Sequence, residues 1–279
     1  MNKNNKNTNK EQYLIAGLNS SYIGDDAAVV DGTLYSMDAF FEDVHFKRGW
    51  MTMAQVGRKA MLVNLSDAIA MNAKPKYALV SLSLPSNIST NEIDELTQSL
   101  ESCAKEFGCE IIGGDTISAD KLTVTITIVS HSIDPLLRSG LEAGDLLAYT
   151  GKLGESQKGL LALMDGKSIS ANSRFYEPKL RAEFIEKSRE YLSAGMDISD
   201  GLFCDTNTLL DINKYGFTLL TDIDDEVGSS GEEYEMLIAF NKENELKVKE
   251  IANSLGLPLN IFAKVSKNSE RFLCKKHHF

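Results

Sequence analysis

The residues of this chain best suited to chemistry are aspartates: Asp25 and Asp26 in GDD, Asp38 in SMDA, Asp67 in NLSD, Asp115 in GGDT, and Asp197 and Asp200 in DISD. Clustered carboxylate oxygens prefer hard cations, and Mg2+ held by a few carboxylates is commonly completed by phosphate oxygens and water. A structural reading stands beside this one, because GDD is a turn former, Asp200 suits a helix cap and Asp115 ends a strand. Asp67 is not explained that way. It lies three residues from Asn64, hence on the same helix face, within the apolar pattern VNLSDAIA. A carboxylate there recovers its lost hydration only from a cation or several donors.

Other catalytic patterns are missing. The Gly151-Lys152 and Gly166-Lys167 pairs lack the upstream glycine of a GxxxxGK[ST] phosphate loop, and no GxGxxG occurs. Nucleotide binding would therefore rest on metal ions and scattered backbone donors. GESQKG does not have the GxSxG spacing of a serine hydrolase. The four histidines form no HExxH, and only His277 and His278 adjoin. His45, between an acidic loop and Phe46, is placed to touch a substrate, though a lone histidine is more often structural.

The elements that must position these groups follow from periodicity. Apolar residues from Met53 to Asn72 recur at helical spacing and stop before Lys74-Pro75. YALVSLSLP, CEIIGGDT and KLTVTITIVS read as strands, the last alternating Val124, Ile126 and Ile128 against Thr123, Thr125 and Thr127. Thr90 is a candidate N-cap for a helix over 91–107. In the second half, strands are expected at DLLAYTG, GFTLLT, YEMLIAF and PLNIFAKV, and helices near 155–165, 178–191 and 242–255. A further helix starts near Asp200, capped by Ser199 or Asp200, with Asp197 on the preceding strand end. The pattern implies an α+β fold of two mixed domains: residues 11–138, residues 139–279, and a disordered tail over 1–10.

At 279 residues the chain can bury a sizeable core, and its 43% hydrophobic and 25% charged composition is that of a globular protein. No apolar run reaches the roughly 18 residues of a membrane span, and MNKNNKNTNK has no signal-peptide core, so a cytoplasmic location is expected. The net charge of −11 argues against nucleic acid as the main partner. It also repels anionic metabolites, so such a substrate requires metal ions or a local cationic pocket. Cys103, Cys109, Cys204 and Cys274 show no CxxC spacing and read as reduced, small buried residues.

Taken in order, GDDAAV, SMDAFFEDVHF, KAMLVNLSDAIAMNAKP, IIGGDT, RSGLEAGDLLAYTGKLG, MDISDGL and SSGEEYEML resemble the motifs of the thiamine-monophosphate kinase family. Its wider superfamily includes aminoimidazole ribonucleotide synthetase, selenophosphate synthetase and a hydrogenase-maturation protein. The resemblance spans about residues 22–240. It implies ATP-dependent, Mg2+-dependent phosphorylation of thiamine monophosphate to thiamine diphosphate. It also implies a homodimer joined through the N-terminal domains, with the active site in a cleft between the two domains. By motif matching it places Asp26, Ser36, Met37, Asp38, Asp67, Asp115, Asp197 and Asp200 at metal positions. Gly114, Asp115, Arg138 and Ser199 fall at nucleotide positions, and His45 and Glu232 at substrate positions.

The acceptor of such a reaction is a phosphate, already anionic, so no general base is needed. Catalysis then rests on positioning and on neutralising phosphate charge. Arg138 offers a fork of donors to a phosphate, and Lys59 is a weaker candidate. Met37 replaces a usual Thr, so a metal contact there would come from its backbone carbonyl. SSGEEYE varies the usual SGGEDYE, and Lys276 in KKHHF stands where relatives have an aromatic. The alternatives are an ATP-using superfamily member with a different acceptor, or a non-catalytic acidic metal- or nucleotide-binding protein. The absence of a reactive cysteine before the first acidic motif disfavours selenophosphate synthesis.

Overall fold

In the computed structural model, residues 10–274 are described. The expected disordered tail, apart from Lys10, and the KKHHF ending with Lys276 lie outside them. The first half comprises α1 (Lys10–Gly17), β1 (Ala28–Val30), β2 (Thr33–Phe41), α2 (Met53–Ala70), β3 (Lys74–Pro85), α3 (Thr90–Glu106), β4 (Glu110–Ala119) and β5 (Thr123–His131). Its five strands form one sheet in the order β1-β2-β5-β3-β4, antiparallel except for the parallel β3-β4 pair.

The alternation in β5 determines how this sheet packs. Val124, Ile126 and Ile128 are fully buried and share a core with Val56, Ala60, Leu65 and Ala68 of α2. Because both flanks of α2 are covered, it is buried almost all round. Gly57 admits the neighbouring helix: a Cβ there would lie 2.7 Å from the Leu96 carbonyl oxygen of α3. The helix opens on a Thr52–Gln55 capping box and ends at Ala70. Asp67 thus belongs to the last turn rather than the middle of the helix, where the negative end of the helix dipole disfavours an anion and increases its demand for a cation. The helix α3 is capped by Ser89 with Glu92, one residue before the expected Thr90.

The second half comprises β6 (Leu146–Thr150), α4 (Glu155–Met164), α5 (Ala182–Ser188), β7 (Ala194–Asp197), α6 (Leu202–Asn213), β8 (Gly216–Leu219), the short α7 (Asp225–Gly228), β9 (Met236–Phe240), α8 (Glu245–Ser254) and β10 (Leu259–Ser266). The strands form an antiparallel sheet in the order β7-β9-β6-β10-β8. Leu202, Leu209 and Leu210 of α6 pack with one face, and Phe184, Ile185 and Val248 of α5 and α8 pack with the other. With both faces covered, MLIAF of β9 is apolar without alternation and buried throughout.

The two halves interlock. Ala70 of α2 joins the core of the second half, while Leu163, Phe175 and Tyr176 join the core of the first. The Tyr176 hydroxyl donates to the Trp50 carbonyl at 2.9 Å. Among the described residues, no helix is long and apolar enough to cross a membrane.

The cysteine expectation requires a correction. Cys103 and Cys109 are free and buried, but Cys204 and Cys274 form a disulfide with a Cα separation of 5.1 Å. Their sequence separation of 70 conceals the pair from any spacing rule. The segment that leads to Cys274 lies against α6: the Phe272 N–H donates to Asn207 Oδ1 and Asn207 Nδ2 donates to the Phe272 carbonyl. The Phe272 ring stacks on both Phe203 and Phe217, with centroids 4.3 and 4.4 Å away.

Candidate active site

The acids of the first sheet are positioned by strand register. Asp38 on β2 shares a transverse row with Ile126, Val80 and Gly114, and this row lies on the face that α2 covers. The backbone N–H of Asp38 donates to Asn64 Oδ1 at 2.8 Å, and Asn64 Nδ2 donates back to the Ala60 carbonyl at 2.9 Å. Asn64 therefore sets the height of Asp38 over the helix. One turn along the same helix, Asp67 meets Asp26 from the loop before β1 and Asp197 from the end of β7. These three carboxylates offer oxygens that all lie within 4.8 Å of one another. Asp197 is further held by Ser66, whose hydroxyl donates to Oδ2 at 2.5 Å.

Crowded, desolvated carboxylates resist ionisation. Burial pushes Asp26 up to about 7 despite the opposing Arg138 charge. Burial, reinforced by Asp197, pushes Asp38 up to about 6. Asp67 is raised well above the usual carboxylate range by burial and then by Asp38, Asp197 and Asp26. Asp197 is also raised, with burial the leading cause. The Asp26 side chain is 1% exposed, yet its Oδ2 has no protein hydrogen-bond partner. A buried set of hard oxygens with an orphaned acceptor fits a divalent cation such as Mg2+.

The remaining expected residues divide. Ser36 is buried on the inner face of β2 and its Oγ has no partner. The Met37 side chain points to the opposite face and is 65% exposed, which leaves only its backbone for the site. Gly114 lies at the inner row, where a Cβ would fall 1.7 Å from the Val80 carbonyl oxygen, so only glycine fits. Asp115 pairs across to Ser81 and Thr125 on the outer face; the chain does not bring it to the triad. Arg138 sends both Nε, at 2.9 Å, and Nη2 to Asp26 Oδ1, and its backbone N–H to Asp25 Oδ1. His45 Nδ1 accepts from the Phe41 N–H at 3.0 Å, at the end of β2.

Ser199 and Asp200 lie in the turn between β7 and α6, and neither caps the helix. Gly201 is the N-cap, with φ of 101° and no side-chain bond. The two residues are thereby released from the structural role that the sequence suggested for them. Lys59 is also corrected. Its side chain is fully buried and its Nζ lies 2.7 Å from Glu232 Oε2, so it is not exposed to a phosphate.

Three acids escaped the sequence reading. Glu233 Oε1 accepts from the N–H groups of Gly154 and Ser156 and from Ser230 Oγ, tying down the start of α4. Glu235 is wholly buried and holds Thr150, Arg174 and Arg181. Asp205 is 3% exposed with an unpartnered Oδ2, and its carboxyl is raised by burial and then by Asp200 and Asp197. Its signal was the one that marked Asp67, an acid within an apolar helix, here LFCDTNTLL.

An acid-lined junction between the two halves, with a cation-ready triad drawn from the loop before β1, from α2 and from the end of β7, defines a class as well as a site. Residues 24–131 match the family described as AIR synthase related protein, N-terminal domain. Curated relatives narrow the class. The thiamine-monophosphate kinase of Buchnera aphidicola is 31% identical over 81% of this chain and 78% of its own length. Those of Aquifex aeolicus and Bacillus subtilis are each 34% identical, over 69% and 67% of this chain. These two matches span 66% and 63% of the relatives' own lengths, just under two thirds. The chain belongs to the thiamine-monophosphate kinase family. The solved structure of AaThiL complexed with AMPPCP and TMP superposes with a TM-score of 0.85 at 26% identity, covering 97% of this chain and 96% of that one. A hydrogenase maturation protein HypE in complex with ATP shares the fold, with a TM-score of 0.71 at 17% identity over 94% of this chain and 88% of its own.

Proposed function

We propose that this chain transfers the terminal phosphoryl group of ATP to the phosphate of thiamine monophosphate, giving thiamine diphosphate. The observation that carries the reading is the convergence of Asp26, Asp67 and Asp197 from both halves of the chain, in a family whose relatives bear that kinase name. In this reading the triad and Asp38 hold Mg2+, with Ser36, the Met37 carbonyl and Asp200 as further metal positions. Bound there, Mg2+ supplies the positive charge that lets two phosphates approach in line. The acceptor oxygen is already anionic, so no residue is assigned as a base.

The protein's own part is placement. Arg138 fixes Asp26, Asn64 fixes Asp38 through its backbone, and Ser66 fixes Asp197. Gly114, Asp115, Arg138 and Ser199 are assigned to the nucleotide, and His45 and Glu232 to the substrate. Residues 11–138 and 139–279 are assigned as the two domains that meet at the site, and a cytoplasmic location accords with ATP as donor.

A homodimer is part of the proposal. Tyr35, Met37, Phe41, Leu79 and Ile117 leave an apolar surface on the outer face of the first sheet, of the kind that marks an interface. Asp115 faces that surface, so its metal role is assigned to the assembled dimer. The experiment is incubation with ATP, Mg2+ and thiamine monophosphate, with thiamine diphosphate sought by mass spectrometry. The expected result is product. ATP bound without any product would overturn the kinase and favour a binding protein, and ATP consumed only with another acceptor would favour a superfamily relative.

A further inference from the structure

Lys59 projects from α2 into the protein and has no exposed surface, a rare state for a lysine unless it is paired. Its Nζ lies 2.7 Å from Glu232 Oε2, 4.2 Å from the centre of the Phe175 ring and 5.6 Å from that of Phe40. The ammonium is thus enclosed by one carboxylate and two aromatic faces, each from a different part of the chain. Both rings attract a cation through their negative faces. The pair joins the helix that carries Asp67 to the loop before β9.

Glu232 itself is in an unusual position. Its φ is 55°, in the left-handed region that a non-glycine residue seldom adopts. Its N–H donates to the Ser199 carbonyl at 2.8 Å, and two residues on the Tyr234 N–H donates to the Ile198 carbonyl at 2.9 Å. The backbone of Glu232 is therefore laced to the DISD turn, while its carboxylate is reached from the other side by Lys59. Its side chain is 24% exposed, whereas that of Lys59 is 0% exposed. Of the two partners, only the glutamate opens toward a ligand.

We infer that Lys59 is a positioning residue for acceptor recognition: from inside the protein it fixes the carboxylate of Glu232 to accept hydrogen bonds from the amino-bearing organic half of the acceptor. This rests on the proposed thiamine monophosphate kinase reading. A purely structural role does not account for the arrangement, because a buried ion pair is generally no more stabilising than well-packed apolar side chains of similar volume. The pair also sets the charge of the neighbourhood. Lys59 sets a positive charge against the Glu232 carboxylate, and the amino group of a ligand then meets an acceptor held in place.

The test is steady-state kinetics of wild type and Lys59→Met, varying ATP and thiamine monophosphate separately, with folding checked by thermal melting. Wild type without thiamine diphosphate formation would overturn the kinase reading, and this inference with it. Given wild-type turnover, Lys59→Met is expected to raise KM for thiamine monophosphate by about tenfold or more, the scale of a lost charge-assisted hydrogen bond. The KM for ATP and kcat should stay within about twofold, the signature of lost ground-state binding. An unchanged KM for thiamine monophosphate, or a loss falling equally on both substrates, overturns the inference. Should Lys59→Met not fold, Phe175→Leu retains both charges and removes one ring of the enclosure. It is expected to raise the same KM by about threefold, from the loss of one cation–π contact; an unchanged value in the folded variant overturns the inference.

Discussion

Ser66 donates a 2.5 Å hydrogen bond to Asp197 Oδ2 and thereby ties the helix of the first sheet to a strand end of the second. Both residues are buried. Ser66→Ala leaves Asp197 without this donor, which costs a buried carboxylate about 1–3 kcal/mol. Because the donor also orients a proposed metal ligand, Mg2+ affinity should fall by about tenfold or more. A Mg2+ titration of turnover, compared with a melting curve taken without metal, separates the two effects.

Asp67→Asn tests the centre of the triad. The amide keeps the shape but withdraws one negative charge from a place where Asp38, Asp197 and Asp26 repel it. Turnover should fall by about a hundredfold or more, as expected when a metal ligand is lost. The metal-free protein should at the same time melt higher, because a strained site has been relieved. Unchanged turnover and Mg2+ dependence would remove Asp67 from the metal set.

The physics that made Asp67 visible in the sequence also explains what was hidden. An acid in an apolar helical pattern is legible because periodicity alone shows that its face is buried. Alternation in KLTVTITIVS likewise fixed which face of the first sheet would be covered. Lys59 carried no comparable signal, since a long side chain on an apolar helix usually snorkels outward; only the tertiary placement of Phe40, Phe175 and Glu232 encloses it. Ser199 and Asp200 suggested caps because capping is local, whereas the actual boundary was set by Gly201, whose Cβ would lie 3.1 Å from the Ser229 backbone. The motif assigns Asp115 to the metal, and only the paired strands show that it faces away from Gly114: Gly114 pairs with Val80 on the inner face and Asp115 with Ser81 on the outer. The Cys204–Cys274 pair depends on the segment around Phe272 returning to α6, which no local pattern encodes.

The raised carboxyls predict a pH dependence with a definite sign. Asp26 and Asp38 titrate at about 7 and about 6 when folded, against 3.8 as the ordinary value. The folded protein holds these protons more tightly than the unfolded chain does. Their contribution to metal-free stability is therefore complete below about pH 4 and is lost as pH rises through about 6 and then about 7. Cation binding requires the deprotonated forms and releases protons. The rise in melting temperature caused by Mg2+ should thus be small at pH 5.5 and grow toward pH 8. A Mg2+ effect independent of pH would exclude these two acids as ligands.

The outer face of the first sheet predicts assembly. Ile117 is 58% exposed there, on the edge strand β4 beside Ser83 of β3. A charge at that position, Ile117→Arg, should convert a dimer to a monomer in light scattering, because an unpaired charge is not tolerated in a desolvated apolar interface. A wild type that is monomeric at micromolar concentration would remove the dimer from the proposal.

The Cys204–Cys274 bond closes a 70-residue loop and, in the chain-entropy account, stabilises by roughly 4 kcal/mol at most. It also fastens the segment whose Phe272 stacks on Phe203 and Phe217. Thiol-reducing compartments disfavour such bonds, so the test must compare redox states of one preparation. Alkylation of the unfolded, unreduced protein should label Cys103 and Cys109 alone, and prior reduction should extend the labelling to Cys204 and Cys274. Reduction should lower the melting temperature of wild type and leave Cys274→Ser unaffected. Labelling of Cys204 without reduction, in protein purified without reductant, would show that the contact between α6 and the chain end is held by the aromatic stack alone.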